Sequence, residues 1–132
     1  MHTAVTPARP SRILWISTLY IVLSPVAAVG LTYAFLVQYG WSWPQCFAAI
    51  IYGGVTCFCI SGGYHRYFTH RSYDASPALK WFYLIVGAGA LEMSALKWCT
   101  DHRRHHRYVD TDDDPYNIRR GFFYAHLGWL LV

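Results

Sequence analysis

The sequence predicts an all-α integral membrane protein in which two transmembrane helices form a hairpin, followed by cytoplasmic or interfacial helices that carry histidine clusters. Three observations lead to this fold class. Residues 13 to 65, 53 in a row, contain no Lys, Arg, Asp or Glu. Charged residues make up 14% of the chain, whereas an ordinary soluble domain carries about 25%. Six of the seven histidines lie at or beyond the end of the uncharged stretch.

The uncharged stretch is long enough for two membrane-spanning helices and a turn, since a bilayer core of about 30 Å takes about 20 helical residues. The break is predicted at Gln38–Pro44, where turn-forming residues stand among interfacial aromatics. We therefore expect spans at residues 13–37 and 44–63. Both should be helices, because every backbone polar group inside a bilayer must be bonded internally.

The basic residues predict the orientation of the chain in the membrane. Two spans return the chain to the side on which it starts, so Arg9 and Arg12 share a compartment with every basic residue after the second span. The positive-inside rule assigns that side to the cytoplasm, which places the N-terminus and the histidine clusters there. The net charge of +4 suits anionic lipid head groups, and no basic stripe or stacking motif indicates nucleic-acid binding.

Residues 64–132 are expected to be a cytoplasmic or interfacial region that completes one domain over residues 1–132. The apolar run Trp81–Leu91 has 11 uncharged residues, too few to span a bilayer, and is predicted to be an interfacial or partly re-entrant helix. The acidic run at residues 110–114 is predicted to be a helix-terminating loop before Pro115.

The histidine cluster H-R-R-H-H has metal-ligand spacing. On a helix, positions i, i+3 and i+4 share one arc of about 100°, so His102, His105 and His106 point from one face. Ligation by imidazoles alone suits iron, zinc, copper or nickel. A buried core histidine or a lipid-facing basic surface would explain one cluster alone, whereas two clusters after one hairpin favour a metal site.

The earlier pair, His65 and His70, has a less regular spacing. On a regular α-helix, positions i and i+5 point about 140° apart and lie about 7.5 Å apart along the axis. Such a pair would serve two different ions, or one ion if the helix ended between them. Together the two clusters indicate a dinuclear site better than a mononuclear one, while the isolated His126 is expected to be structural.

Three segments resemble the membrane fatty-acid desaturases. H-R-Y-F-T-H at residues 65–70 and W-C-T-D-H-R-R-H-H at residues 98–106 are similar to the first two histidine boxes of that family. R-R-G-F-F-Y-A-H-L-G-W at residues 119–129 is similar to the acyl-CoA Δ9, or stearoyl-type, members. The resemblance implies a partial desaturase fold in which residues 64–132 are the histidine-box region.

The resemblance also implies a reaction and a set of site residues. The reaction is O2-dependent removal of two hydrogens from a long acyl chain at a centre of two iron ions. The implied catalytic and metal-binding residues are His65, His70, His102, His105 and His106. Trp98 corresponds to a residue that lines the acyl tunnel, and Asp101 to one near the head group of the acyl carrier. The implied partners are acyl-CoA or another acyl-carrier lipid, O2, membrane lipids, and an electron donor such as a ferredoxin or a b-type cytochrome with its reductase.

The chain departs from the family pattern in places. Glu92 and Met93 replace a Gln-Asn pair of the animal members and Thr100 replaces an Arg, which leaves the carrier and the double-bond position open. The family has a third box of the type H-x-x-H-H after two further spans, and this sequence contains none. Five ligands cannot saturate two irons, so we expect an N-terminal fragment of a desaturase that is inactive by itself.

Three other functions stay open at this point. A membrane diiron hydroxylase would use the same histidines and differ only in its product. A non-catalytic membrane metal carrier or sensor would need polar or ionisable ligands within its spans, whereas residues 13–63 hold no charged residue and no histidine. A membrane-anchored interaction protein would bind no stoichiometric metal.

Overall fold

The structure is a computed structural model that describes residues 12–132. Within this range the chain is helical and has no β-strand, which confirms the predicted all-α class. Its α-helices are α1 (Trp15–Tyr39), α2 (Trp43–Phe58), α3 (Pro77–Gly87), α4 (Ala95–Tyr108) and α5 (Phe122–His126). A π-helix over Cys59–Thr69 continues α2, and 3-10 turns cover Ala88–Ala90, Ile118–Arg120 and Gly128–Leu131.

Within residues 12–132, two helices are long and apolar enough to cross a membrane, as expected of a membrane protein. They are Trp15–Tyr39, with 25 residues, and the continuous helix Trp43–Thr69, with 27 residues. The first span agrees with the predicted residues 13–37 to within two residues at each end. The second continues six residues past the predicted end at residue 63, because the π-helix prolongs it.

The described chain divides into two compact units, one containing residues 12–38, with all of α1 except its last residue, and Tyr108–Val132, the other Tyr39–Arg107. The two spans belong to different units, and their pairing as a hairpin stays a prediction. The single-domain organisation and the cytoplasmic orientation also stay predictions. Arg9, on which the orientation argument partly rests, lies outside the described residues.

The unit Tyr39–Arg107 has a small aromatic core where the π-helix meets α3 and α4. Tyr64 is 1% exposed and packs in a cluster with Ile60 and Cys99. The Cys99 thiol donates to the carbonyl of Tyr64 over 3.4 Å. Gly87 allows α3 to approach closely, since a Cβ there would lie 2.9 Å from the Tyr64 ring. These contacts fix the π-helix against its neighbours.

The apolar run 81–91 forms most of α3, which starts with a conventional cap. The Ser76 side chain accepts a hydrogen bond from the amide of Leu79, as an N-cap does. After α3 the chain turns at Leu91, whose φ of 58° is left-handed. The following helix, α4, is bent by 85° relative to the preceding one. The pair is therefore not a straight span, in keeping with the interfacial or re-entrant helix predicted for this run.

The loop that follows α4 is organised by two buried polar side chains. The helix ends at Tyr108, as the acidic run predicts. Asp114 is 3% exposed and accepts from the amides of Asp110 and Tyr116. Asn117 is 2% exposed, donates to the carbonyl of Thr111 over 2.6 Å, and caps the next turn.

Replacing Asn117 with alanine is expected to destabilise this loop. The change leaves the Thr111 carbonyl and the Arg119 amide without the side chain that pairs them, and an unsatisfied buried polar group costs about 1–3 kcal/mol. Thermal unfolding in detergent micelles measures the loss. Ile118→Ala is the matched control, because Ile118 is 48% exposed and its truncation should change stability much less. Equal melting temperatures for the two variants would contradict the prediction.

Candidate metal centre

The π-helix changes the geometry expected for His65 and His70. An α-helix would point the two rings about 140° apart, but a π-helix bonds each residue to the fifth one along the chain, which brings that residue to the same face. The amide of His70 donates to the carbonyl of His65 over 3.1 Å, five residues back. The two ring centroids are 4.6 Å apart. The premise of a regular helix was therefore wrong, and the i, i+5 spacing places both rings together.

α4 adds His102 and His106, which lie one turn apart. Their ring centroids are 4.6 Å apart and their Nε2 atoms 3.0 Å apart. The Nε2 atom of His102 also lies 3.4 Å from that of His70. One nitrogen from each of the four histidines lies within 4.8 Å of the others. We call His65, His70, His102 and His106 the histidine group; within residues 12–132 it is the one set of three or more such donors.

His105 is not part of the histidine group. Its ring centroid lies 6.2 Å from that of His102 and 5.6 Å from that of His106. The spacing argument placed all three α4 rings on one arc, and two of the three converge with the first pair. The role of His105 as a ligand stays a prediction.

The donor set of the histidine group fits one transition-metal ion. Imidazole nitrogens bind at about 2.1 Å, so two on one ion lie roughly 3.0–3.5 Å apart when adjacent and about 4.2 Å apart when opposite. The two Nε2 separations at His102, 3.0 and 3.4 Å, fall in the first range. Four imidazoles suit iron, zinc, copper or nickel. The four nitrogens lie within 4.8 Å of one another, slightly more than the limit of about 4.2 Å, so one ion would have to draw the side chains together by a few tenths of an ångström.

The surroundings of His102 lower the pKa of its imidazole, which favours the neutral form that binds a cation. Burial, followed by the nearby imidazoles of His65, His106 and His70, lowers the pKa of His102 to about 4. Its ring is therefore neutral at pH 7 and offers a nitrogen lone pair. A metal ligand must be deprotonated in this way.

Trp98 lies directly beside the histidine group. Its ring stacks on that of His102, with centroids 4.9 Å apart and planes at 28°. The indole Nε1 donates to Glu92 Oε2 over 3.0 Å. Glu92 therefore holds a side chain that touches a metal-ligand candidate, a role that the sequence did not reveal because the bend between α3 and α4 brings the two together.

Asp101 is placed on the same helix, one residue before His102. Its carboxylate forms an ion pair with Lys97 on the preceding turn. Lys97 thus neutralises the charge of Asp101 within the helix. The role of Asp101 near an acyl-carrier head group stays a prediction. The role of Trp98 in lining a tunnel also stays a prediction.

Comparison with known proteins finds similarity to desaturases. The family model for fatty acid desaturases matches residues 41–132. The chain is 50% identical, over 84 residues, to a "Probable acyl-CoA desaturase" of Schizosaccharomyces pombe; the match covers 64% of this chain and 18% of the relative. It is 41% identical over 115 residues to a Delta(9)-fatty-acid desaturase of Caenorhabditis elegans, covering 86% of this chain and 33% of the relative.

A human protein is similar as well. The chain is 42% identical over 94 residues to the human "Stearoyl-CoA desaturase", a match that covers 71% of this chain and 25% of that protein. In these three comparisons the chain spans between 18% and 33% of the length of the relative. The matched residues 41–132 include the whole histidine group.

Proposed function

Because the chain belongs to the fatty acid desaturase family, we propose that the protein is an oxidoreductase that introduces a double bond into a long fatty acyl chain. The reaction removes two hydrogens from the acyl chain with reduction of O2 to water. The observation that carries the proposal is the convergence of four imidazoles from two segments more than 30 residues apart in sequence, 65–70 and 102–106, at one point. An interaction module has no need for such a site.

Iron is the metal that we propose for this site. The histidine group would hold one iron ion, and His105, just outside it, would turn toward a second. Iron bound there would supply the activation of O2 that breaking an unactivated C–H bond requires, since side-chain acids and bases cannot do so. Five nitrogens are too few for two irons, and the third histidine box of the family would supply the remainder.

The chain's own residues would position the substrate next to the histidine group. The Trp98 ring, stacked on His102 and hydrogen-bonded to Glu92, offers a fixed apolar wall for an acyl chain. Asp101 would lie near the polar end of the substrate. We propose acyl-CoA or a related acyl-carrier lipid as the substrate class, because the relatives above are named as acyl-CoA and stearoyl-CoA desaturases.

The remaining partners follow from the reaction and the membrane setting. Electrons would come from a ferredoxin or a b-type cytochrome with its reductase. The N-terminus and the histidine boxes would face the cytoplasm, where these soluble or peripheral donors are available and where anionic lipids meet the basic residues of the chain.

Product analysis tests the proposal. The full-length coding sequence would be expressed in a host that lacks its own Δ9 desaturase, and the cellular fatty acids analysed by mass spectrometry. We expect a new acid that is two hydrogens lighter than its precursor, absent from cells that express His102→Ala. A product one oxygen heavier would instead identify a hydroxylase. No new product, together with no iron in the purified protein, would leave an anchored interaction protein as the better explanation.

A further inference from the structure

We propose that Thr69 is a positioning residue for the metal centre: its hydroxyl holds the turn that keeps His65 and His70 on one face of the π-helix. The inference rests on the proposed role of these histidines as metal ligands. It concerns a residue that lies one position before His70 and belongs to neither the ligand set nor the substrate wall.

The hydroxyl of Thr69 bonds differently from the other helical hydroxyls in this segment. In α-helices, Ser and Thr hydroxyls bond to the carbonyl three or four residues back. Thr56 on α2 follows that rule with the carbonyl of Tyr52 at 2.9 Å, and Ser61, near the start of the π-helix, also bonds four residues back, to the carbonyl of Cys57 at 2.9 Å. Thr69 instead donates to the carbonyl of Tyr64 at 2.8 Å, five residues back.

The five-residue reach of the Thr69 bond matches the backbone hydrogen bonding of the turn from His65 to His70. The backbone bond from the His70 amide to the His65 carbonyl has the same five-residue reach. The Thr69 hydroxyl thus adds a side-chain bond of the same reach one residue earlier in the chain. If the turn reverted to α-helical hydrogen bonding, the hydroxyl would face the carbonyl four residues back, and the rings of His65 and His70 would point about 140° apart. The Thr69 bond therefore favours the turn that brings the two rings together.

Burial makes this bond difficult to replace. Thr69 is 8% exposed and Tyr64 1%, so water has little access to the acceptor carbonyl. The Cys99 thiol on α4 also donates to that carbonyl at 3.4 Å, but a thiol is a weak donor. The same carbonyl thus links the turn of His65 and His70 to the helix that carries His102 and His106. Loss of the hydroxyl would loosen the turn at the point where the two pairs of histidines meet.

Two conservative replacements separate positioning from general packing. Thr69→Val removes only the hydroxyl, and Thr69→Ser keeps it. Thr56→Val is the matched control, because Thr56 is also buried, at 5%, and loses a hydroxyl bond of the ordinary α-helical kind. Each variant of the full-length protein would be purified in detergent micelles without metal and titrated with Co(II), whose visible absorption reports the coordination geometry of the ion. Thermal unfolding of the metal-free proteins provides the stability of each variant.

We expect Thr69→Val to bind Co(II) with roughly 10- to 100-fold lower affinity, the range for removing a residue that supports a ligand, and with an altered spectrum. Thr69→Ser should keep the affinity and the spectrum. Thr56→Val should melt at a lower temperature than the wild type but bind Co(II) normally. This pattern is one that a merely structural threonine would not produce.

Other outcomes would overturn the proposal. Wild-type affinity and spectrum in a folded Thr69→Val protein would remove Thr69 from the metal centre while leaving the metal site itself intact. An equal loss of affinity in Thr56→Val would mean that any buried hydroxyl has this effect. If the valine variant does not fold, Thr69→Ser decides, since a tenfold loss in that variant contradicts a role for the hydroxyl. If the wild type binds no Co(II), the metal site itself is wrong and the inference falls with it.

Discussion

Replacing His102 with alanine is expected to abolish stoichiometric metal binding. His102 is the side chain through which the two pairs of histidines meet, since its Nε2 atom lies 3.4 Å from that of His70 and 3.0 Å from that of His106. Removing a residue that only supports a ligand costs about 10- to 100-fold in metal affinity, and removal of a ligand should cost at least 100-fold. Metal content by mass spectrometry and Co(II) titration of the full-length protein measure the loss.

His126→Ala is the matched control for this experiment. It also removes one imidazole, but His126 lies on α5 with its ring stacked on that of Phe122 at 3.9 Å, and it is not a member of the histidine group. The control should bind metal as the wild type does. If His102→Ala retained full metal content, or if the control lost metal equally, the histidine group would not be the binding site.

Gly63→Ala is expected to be the most damaging of the small substitutions in the helices. A Cβ at this position would lie 2.6 Å from Cγ and 2.7 Å from Cβ of Tyr83, which no real contact tolerates. Tyr83 is 2% exposed and its hydroxyl bonds to that of Tyr73 at 2.9 Å, so the ring has no free direction in which to withdraw. The π-helix and α3 would have to separate, and such overpacking costs about 1–3 kcal/mol.

Gly62→Ala, one residue earlier, is the matched control. A Cβ at Gly62 would meet the Phe58 ring and the Tyr83 hydroxyl at 3.5 Å, an ordinary contact. Both variants gain the same helix propensity, up to about 1 kcal/mol over glycine, so the difference between them isolates the clash. Denaturation in detergent micelles should show Gly63→Ala to be clearly less stable. Equal stabilities would mean that the two helices are not packed as closely as described.

The membrane helices could be predicted from the sequence because they depend on local composition. The absence of charge from residues 13 to 65 was enough to place the first span within two residues at each end. The break at Gln38–Pro44 was equally visible, since Gly40 and Pro44 are residues that end or begin helices. The free energy of transferring a residue into the bilayer depends mainly on its own side chain, so hydropathy along the sequence is sufficient to locate such helices.

The metal centre could be predicted only in part. The spacing of His102 and His106 is explained by a regular α-helix, and the structure brings those two rings together. The spacing of His65 and His70 is explained only by the π-helix, whose hydrogen bonding depends on tertiary contacts. The Tyr73 hydroxyl, for example, donates to the carbonyl of Gly62 at 2.7 Å from 11 residues away. Hydropathy and helical periodicity carry no information about such contacts.

The contact between Trp98 and Glu92 also could not be predicted from the sequence. Trp98 could be singled out because the resemblance named it, whereas its partner Glu92 lies beyond the left-handed turn that begins at Leu91. Six residues separate the two in sequence, and only the bend makes the hydrogen bond of 3.0 Å between them. Geometry created by an irregular turn cannot be inferred from residue spacing.

The exposure of α1 has a consequence for how the protein is made. None of its 25 residues is buried, and transfer of its apolar side chains from water to lipid is by itself sufficient to hold it in a bilayer. Such a helix needs neither histidine box for its stability in the bilayer. Biogenesis would then occur in two stages, with insertion of α1 first and assembly of the π-helix with α3 and α4 afterwards. Defects in the metal centre and defects in insertion would accordingly arise from different parts of the chain.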